Sequence, residues 1–591
     1  MTKITPLLNR FTFGEISPLV SGRSDLAKYP AGCKRLENFI PLLQGPIKRR
    51  GGTRYITTAA NGEKPVALLE FAFSSTTTYI IEVGQGYMRF FCNGAPVLNN
   101  GFHYRIVTSL SQSQIFLDNG ICALKYVQSG DVMYIVGQDM PPIKLARHGH
   151  LDWRLTTLPG WGTRPNPTAV ALFRERLCLA AGQTVYMSQS GAFEQFQLTS
   201  EQKDNNGNVI VPVVADDPIE INIYSEQIDK IEWLCPSSGL LVGTSGSEFI
   251  ISETTTVEPL GPENVKVVPE TAFGSSSIQA LRVGSVVMFV QRAGRKVREF
   301  VYDYSGDNYA AMDVTVAAEH ITRGGITALA WQSEPIETLW AVRPDGQLIG
   351  FTYSREQDMS AWHRHVLGGG GQVAHIAVIP AAHGGRDELW LAVKRVVNGR
   401  TRYYIELMDH GHDPGEALED AFFVDCGSTV TGSQMTTISG LNHLEGLEVD
   451  VLADGGVQPR QVVTQGAITL QYPADKVQVG LPYTSIMTTL NLEAQTQTGS
   501  SAMRLKRFTS ATLKLIESGG GAAGPDENNM QQLEYRRGAQ QMDMCLPLFT
   551  GDKKINWPGG YETEGALSVG QTYPLPFTLA AIIPEMLMEA G

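Results

Sequence analysis

The feature that most constrains the fold is a pattern that recurs from about residue 66 to residue 409. Each copy has a short apolar strand, a turn, a second strand that ends near an aromatic residue, and then a polar loop. Alternating apolar residues bounded by turn signals are typical of β-strands. Seven copies can be recognised, and they begin near Val66, Ala123, Ala169, Lys230, Ile278, Ile326 and Ala374.

A repeat of roughly 50 residues with three or four strands is typical of a β-propeller, because one small sheet buries both faces only against neighbouring sheets. Within the sixth copy, residues 341–346 predict a hairpin, since Asp345-Gly346 can supply the positive φ of a tight turn. The chain lacks the Trp-Asp signature of WD repeats and the Asp-box of sialidases, and the copies are unevenly spaced. A series of β-sandwiches would give the same alternation, so that alternative stays open, as does the number of blades.

The residue composition and the strand pattern change after the repeats. Residues 427–440 are rich in Ser, Thr and Gly, residues 444–456 form two alternating strands around a turn, and further strands follow as far as residue 516. The chain therefore divides into an N-terminal arm (1–60), a propeller-like domain (61–415) and a C-terminal β-sandwich (416–591), all of the all-β class. We expect the glycine-rich run Ser518 to Asp526 to be an exposed loop, because its glycines lose too much backbone entropy on ordering.

Charge and cysteine content limit the classes of function. With 60 acidic and 47 basic side chains, the net charge of -13 has the wrong sign for a protein that grips DNA phosphates. The one basic cluster, Lys48-Arg49-Arg50 with Arg54, is either a nucleic-acid patch or a solvated or interface loop, and the acidic chain favours the loop. No apolar run is long enough for a membrane helix or a secretory signal, so we expect folding in a cytoplasm.

The cysteines offer no metal or redox motif. All seven are isolated and no C-x-x-C pair occurs, so they are interpreted as small buried apolar residues. They are Cys33, Cys92, Cys122, Cys178, Cys235, Cys426 and Cys545.

Short matches along nearly the whole chain resemble a known family. They are NRFTFGEISP at 9–18, GPIKRRGGTRY at 45–55, RERLCLA at 174–180, VYMSQSGAFEQF at 185–196, GLNHLEG at 440–446, VGLPY at 479–483 and YPLPF at 573–577. In this order they resemble the nozzle proteins (tail tubular protein B) of short-tailed bacteriophages. The stretch from Thr199 to Ile219 and the loop at Ser518 stand apart from these matches, which leaves the surfaces that dock tail fibres undefined.

The resemblance implies a structural protein of the virion tail, assembled in the host cytoplasm, with no enzymatic activity and no cofactor. It implies a homohexamer below the head-to-tail adaptor that surrounds the DNA exit channel, makes transient non-specific contact with duplex DNA during genome ejection, and carries fibres or spikes. No membrane insertion is expected. We also expect the arm to be held by neighbouring subunits or the adaptor, since its apolar pieces are too short for a core.

Searches for catalytic and metal motifs give no site residues. The chain has no G-x-S-x-G, no phosphate-binding loop and no H-E-x-x-H. The run Lys203 to Asn208 resembles half of a calcium loop, but Gln202 and Val213 stand where an EF-hand needs acids. Asp216-Asp217 lies in a polar loop, without a sign of the burial that acid–base catalysis requires.

Two histidine pairs attract attention as metal ligands. Alternate residues of a strand share a face, so His410 and His412, or His363 and His365, could bind one ion. A solvated turn or a pair of buried, hydrogen-bonded imidazoles is the favoured interpretation for both. Two other functions stay open: a propeller hydrolase or lyase for glycans, which would need carboxylates converging in the axial pocket, and a bacterial propeller scaffold.

Overall fold

The computed structural model describes residues 2–23, 25–74, 76–200, 202–203, 209–224, 229–255, 257–303, 306, 308–382, 384–492, 495–496, 499–500, 505–536, 545–556 and 560–588. Strands account for 53% of the residues and helices for 5%, which confirms the predicted all-β class. Within these ranges no helix has the length and apolarity that crossing a membrane needs.

Among the described residues, seven antiparallel groups of strands follow one another along the chain, and we call them blades 1 to 7; blades 6 and 7 are parts of larger sheets. Blade 1 contains Ala67–Ala72, Thr78–Gly84, Tyr87–Cys92, Ala95–Pro96 and Arg105–Val107; blade 2 contains Lys125–Ser129, Val132–Val136, Ile143–Gly149 and Asp152–Thr157; blade 3 contains Ala169–Phe173, Arg176–Ala181, Thr184–Met187 and Ile219–Asn222; blade 4 contains Ile231–Pro236, Leu240–Thr244, Glu248–Ser252 and Lys266–Thr271. Blade 5 contains Leu281–Val283, Val286–Val290, Val297–Asp303 and Asn308–Asp313; blade 6 contains Ala328–Gln332, Thr338–Val342, Leu348–Ser354 and Met359–His365; blade 7 contains Gln372–Pro380, Asp387–Val397, Arg400–Met408 and Thr53–Thr58.

The blades form a closed ring, because a separate apolar cluster lies between each blade and the next. The last cluster joins blade 7 to blade 1, where the rings of Phe91 and Trp390 pack with 5.6 Å between their centroids. Each small sheet is thus covered on both faces by its neighbours, which is how a propeller buries its strands. The predicted propeller-like body is confirmed, and the alternative of a row of sandwiches is wrong for this part of the chain.

The N-terminal region closes the ring. Strand Thr53–Thr58 is the outer strand of blade 7 and pairs antiparallel with Arg400–Met408, with Arg54 opposite Leu407. A parallel bridge from Arg54 to Gly427 continues this sheet into the C-terminal region. A strand from the N-terminal region therefore completes blade 7 and links it to the C-terminal region.

The C-terminal region packs three groups of strands beside blades 6 and 7. The first contains Thr2–Ile4, Phe39–Pro41, Ile47–Arg49, Lys506–Ser518, Phe549–Asn556 and Thr578–Met588; the second, which continues blade 6, contains Gly14–Glu15, Gly32–Glu37, Ser485–Thr489, Ala522–Gly524, Gln531–Gln532 and Ser568–Gln571; the third, which continues blade 7, contains Asp425–Ser439, Glu448–Ala453, Gly456–Val462 and Ala467–Leu481. The first two groups enclose one apolar core and so form a β-sandwich.

The remaining elements are short. Small hairpins pair Leu98–Asn99 with Phe102–His103, Gln202–Lys203 with Val209–Val211, and Gln495–Thr496 with Gly499–Ser500. Two α-helical turns span Gln112–Ile115 and Glu319–Thr322, and 3-10 turns span Pro18–Val20, Tyr29–Ala31, Val316–Ala318, Gly368–Gly370, Leu418–Asp420 and Asn442–Leu444.

The N-terminal segment does not depend on neighbouring subunits in the way that its sequence suggests. Cys33, Leu36, Phe39 and Ile47 are fully buried in the sandwich core together with C-terminal residues such as Ile582. The expectation of an externally held arm is wrong for residues 32–58. Their apolar side chains are too few for a separate core, but the C-terminal strands supply the rest of it.

The glycine-rich run from Ser518 to Asp526 is not an exposed loop either. Ala522–Gly524 is a buried strand that pairs with Ser568–Gln571. A Cβ atom at Gly521 would lie 2.4 Å from the ring of Phe577, and one at Gly524 would lie 2.1 Å from the carbonyl oxygen of Asn529. These glycines permit close packing of backbone against its neighbours, so they mark a crowded site instead of a flexible one.

Candidate functional site

A buried ion pair joins the N-terminal segment to the C-terminal region beside blade 7. The guanidinium of Arg50 donates two hydrogen bonds to Asp425, at 2.8 Å to Oδ1 and 2.7 Å to Oδ2. Both side chains are 0% exposed. The backbone N–H of Gly368 donates to the same carboxylate at 2.7 Å, and Asn38 Oδ1 accepts from Arg50 Nε at 2.8 Å. The charges are therefore paired and hydrogen-bonded, as burial requires.

A second buried pair lies within blade 7. Arg395 donates to Glu406 at 2.5 and 2.9 Å, in the two-point geometry that suits a guanidinium and a carboxylate. Thr53 connects the two pairs, since its hydroxyl donates to Glu406 Oε2 at 2.6 Å and accepts from the N–H of Cys426 at 2.8 Å. Cys426 directly follows Asp425, so the N-terminal strand, blade 7 and the C-terminal sheet share one polar network. We call this network the junction.

Arg49 is buried, and no carboxylate of the described residues bonds it. It donates to the carbonyl oxygens of Tyr483 and Leu575, each at 2.9 Å, and to Ser485 Oγ at 3.2 Å. The Tyr483 ring centroid lies 4.3 Å from Arg49 Cζ and 3.9 Å from Arg50 Cζ, so both guanidinium groups gain a cation–π contact. Carbonyl oxygens and an aromatic ring thus take the place of an acid.

The interpretations of the basic cluster as a nucleic-acid patch or as a solvated loop are wrong for its two central arginines. Arg49 and Arg50 are each 1% exposed, so they form neither a nucleic-acid patch nor a solvated loop. Lys48 and Arg54 are partly exposed, but each is paired, with Asp413 at 3.1 Å and with Asp409 at 2.5 Å. The partners that bury the two arginines are hundreds of residues away in the sequence, which local charge patterns do not reveal.

One local signal could have indicated this burial. Gly51 and Gly52 follow the basic cluster directly, and a Cβ atom at either would lie about 2 Å from a backbone oxygen of Asp409 or Val424. Glycine at such a position permits two backbone segments to approach closely. A basic run that ends in such glycines is therefore compatible with a buried crossing as well as with a loop.

A cavity of about 290 Å³ opens beside the junction, and two members of a group of possible metal ligands, His410 and Asp413, line it. Atoms of His410, Asp413 and Glu416 lie within 4.8 Å of one another. However, the His410 ring nitrogens already bond Asp409 at 3.2 Å and Glu416 at 3.0 Å. Burial opposes protonation of His410, but these carboxylates outweigh it and raise its pKa, which favours the cation that binds no metal.

The charges around this group also oppose metal binding. Lys48 and Arg386 both bond the carboxylate of Asp413, at 3.1 and 3.3 Å. His412, the partner that the sequence suggested for His410, is buried and its Nε2 bonds the carbonyl oxygen of Glu416 at 3.1 Å. The two histidines therefore make separate hydrogen bonds, and this group is best described as an ion-pair cluster.

The other histidine pair is buried in the outer strand of blade 6. His363 Nδ1 and His365 Nε2 lie 2.7 Å apart, and His363 Nε2 lies 3.0 Å from the hydroxyl of Thr352. Burial lowers the pKa of His363 to about 3, so the pair is neutral. Of the interpretations offered for this pair, the structure agrees with two buried, hydrogen-bonded imidazoles.

The paired acids Asp216-Asp217 and the possible calcium loop do not form a common site in the described residues. Asp216 is exposed, whereas Asp217 is buried and its carboxylate accepts from Thr199 Oγ1 and from the N–H of Val214, each at 2.9 Å. The two acids therefore lie in different environments. The possible calcium loop falls mainly on residues 204–208, which lie outside the described residues.

The axial cavity of the propeller, of about 420 Å³, is where a propeller hydrolase would hold its acids. Glu70 is the single carboxylate among the described residues that line it. Burial raises the pKa of Glu70 to about 7, and one of its oxygens accepts from the N–H of Val378 at 3.1 Å. A retaining or inverting glycosidase uses two carboxylates, so this cavity does not favour that chemistry.

Comparisons with known proteins place these observations in context. The model of a family described as bacteriophage nozzle protein matches residues 166–489, more than half of the 591 residues. No curated protein matches the chain. Among solved structures, the crystal structure of the RRP9 WD40 repeats aligns with a TM-score of 0.38 and 8% identity, over 61% of this chain and 99% of that chain. The family match runs from just before blade 3, through blade 7, into the C-terminal sheets.

Proposed function

The chain belongs to the bacteriophage nozzle protein family and is a structural component of a phage tail, and we propose that it forms a homohexamer around the DNA exit channel. In this proposal the hexamer lies below the head-to-tail adaptor of a short-tailed phage and supports fibres or spikes during genome ejection. Assembly takes place in the host cytoplasm. Family membership is the observation that carries the proposal.

The junction supports this role physically. A wall that guides DNA under pressure needs subunits that keep their shape, and domains joined by small interfaces move relative to one another by default. Here the Gly368 N–H, which bonds Asp425 of the Arg50–Asp425 pair, and Thr53, which links Glu406 to Cys426, connect the propeller to the C-terminal region, together with shared sheets. We propose that each subunit acts as one rigid block in the wall.

We further propose that the DNA-facing surface carries more Asp and Glu than Lys and Arg. Lysine and arginine that neutralise phosphates release counterions and hold DNA, which would slow its exit. The net charge of -13 supports an acidic lining. The most basic run of the chain supports it too, because Arg49 and Arg50 are buried inside the subunit, where Arg50 pairs with Asp425 and Arg49 donates to carbonyl oxygens.

We also propose that the protein has no enzymatic activity. Among the described residues a single carboxylate lines the axial cavity, which supports this, as does the pairing of the ionisable groups beside the junction. The test is incubation of the purified protein with polysaccharide from the host surface. We expect no release of reducing ends or unsaturated sugars, and either product would contradict the proposal.

The location in the virion can be tested with a peptide tag. Asn398 and Gly399 form an exposed turn with positive φ between two strands of blade 7, and Asn100-Gly101 forms a similar turn in the small hairpin of Leu98–Asn99 and Phe102–His103. Such turns tolerate insertions. We expect gold-labelled antibody to mark the tail of infectious phage with either insertion, and untagged phage to stay unlabelled. Labelling of the capsid, or tagged virions without label after denaturation, would contradict the proposal.

A further inference from the structure

A buried lysine reaches from blade 2 to blade 4 on the inner side of the propeller. Lys125 begins the inner strand of blade 2, is 5% exposed, and donates from Nζ to the carbonyl oxygen of Glu232 in the inner strand of blade 4. Blade 3 lies between these two strands in the ring, so the side chain spans the interior beside the axial cavity. The described residues offer no second acceptor to this ammonium.

No carboxylate is bonded to Lys125 within the described residues. Glu232 provides only its backbone oxygen, and its carboxylate lies 3.9 Å from the exposed Lys230. Glu70 lines the same cavity but accepts from the N–H of Val378. Burial lowers the pKa of Lys125 to about 8, so the ammonium is still the main form at neutral pH. A buried charge without an ionic partner is costly and calls for a counterion.

Two further donors line the same cavity. The hydroxyl of Tyr126 accepts from the N–H of Glu70 at 3.2 Å, and its own hydrogen has no acceptor among the described residues. His375 Nδ1 accepts from the N–H of Leu68 at 3.2 Å, so the ring proton lies on Nε2. That nitrogen also has no acceptor among the described residues. Burial lowers the pKa of His375 to about 4, which keeps the ring neutral.

The cavity thus has, among the described residues, the buried ammonium of Lys125 and two donors without an acceptor, against one buried acceptor without a donor, Gln279 Oε1. Its volume of about 420 Å³ falls within the range of small-molecule sites. We propose that the axial cavity binds a small oxyanion, a carboxylate or a phosphate, whose oxygens accept from Lys125, Tyr126 and His375. This proposal concerns the interior of one subunit and does not rest on the role in the tail.

The test is the thermal stability of the full chain with sodium phosphate or sodium acetate, and with sodium chloride at the same ionic strength. A ligand that binds only the folded protein stabilises it in proportion to the logarithm of its concentration above Kd. We expect a saturable rise in Tm with at least one oxyanion and no comparable rise with chloride. The anion with the lower half-saturation concentration identifies the ligand class. No saturable effect from either oxyanion would overturn the proposal.

Variants locate the binding. Lys125→Met removes the ammonium and keeps an unbranched apolar side chain, and we expect affinity for the oxyanion to fall about tenfold or more. Lys230→Met removes an exposed lysine of the neighbouring strand and should leave affinity unchanged. A folded Lys125→Met protein with wild-type affinity would overturn the proposal.

A measurement on the wild-type protein covers the case in which Lys125→Met fails to fold. The oxyanion should protect the Lys125 amine from acetylation by acetic anhydride, as read by mass spectrometry, at the concentrations that raise Tm. Labelling of Lys230 should stay constant. Equal labelling of Lys125 with and without the oxyanion would also overturn the proposal.

Discussion

At the scale of single residues, the buried pair of Arg50 and Asp425 joins the N-terminal segment to the C-terminal region. They are 375 residues apart in the sequence, and the residues next to either one give no sign that the two side chains pair. A run of adjacent basic residues on an acidic chain predicts exposure, because arginine is rarely buried without a partner. The prediction failed because the partner is supplied by tertiary structure. The one indication in the sequence was the Gly51-Gly52 pair, because adjacent glycines are compatible with a close approach of two backbone segments.

The first prediction concerns this ion pair. Asp425→Asn leaves Arg50 buried without a counterion, and removing one partner of a buried pair costs about 3 to 5 kcal/mol. We expect the free energy of unfolding, measured in urea, to fall by that order. Asp152→Asn is the matched control, because Asp152 forms an exposed pair with Arg154. The control should be unchanged, and an equally stable Asp425→Asn protein would contradict the role of the junction.

The second prediction concerns pH. Burial opposes ionisation of Asp425, but Arg50, Arg395 and the Gly368 N–H outweigh it and hold its pKa below the ordinary value. Such a carboxyl contributes stability that is fully present above its unfolded pKa of about 3.9 and lost as pH falls through the folded pKa. Below about pH 4, wild-type stability should therefore fall more steeply than that of Asp425→Asn. Parallel profiles in acid would show that this carboxyl does not titrate as the junction requires.

At the scale of elements, periodicity predicted the blades well because each blade is made of local hairpins. The hairpin expected at residues 341–346 is confirmed, with Gly346 at φ +82° between Thr338–Val342 and Leu348–Ser354. The closing strand and the sandwich were harder to predict. Thr53–Thr58 pairs with a strand some 350 residues later, and residues 32–49 complete a core made by the C-terminal strands. Long-range pairing leaves no periodic trace in the sequence.

The third prediction tests the closing strand. A chain that lacks residues 1–58 loses the outer strand of blade 7, so the backbone of Arg400–Met408 should exchange its amide hydrogens much faster. Hydrogen exchange followed by mass spectrometry provides the measurement. A chain that lacks only residues 1–4 loses the Thr2–Ile4 pairing alone and is the control. Full protection of Arg400–Met408 in the longer truncation would contradict ring closure by this strand.

At the scale of the whole molecule, the fold class and the family could be predicted from the sequence because both depend on features spread along the chain. The division at residues 60 and 415 stays a prediction. The sheets that continue blades 6 and 7 contain strands from before residue 60, from the propeller and from beyond residue 415. The subunit surfaces that meet neighbours, adaptor or fibres are set by other chains, so one chain's sequence does not reveal them.

The fourth prediction concerns DNA. If the channel surface is acidic, the assembled hexamer should bind duplex DNA weakly, and its affinity should change little with salt. Fluorescence anisotropy with a short labelled duplex at several salt concentrations measures this. The isolated subunit, compared at equal mass concentration, shows whether assembly creates a binding surface. Tight binding that weakens steeply with added salt would contradict an acidic lumen.

The most direct test of the central claim is cryo-electron microscopy of tails purified from the phage that encodes this chain. The account predicts a six-fold ring of seven-bladed propellers around the DNA channel, directly below the adaptor, with each propeller joined rigidly to its C-terminal strands. A tail in which this chain is absent from the channel wall, or is present as single copies away from the axis, would contradict the account.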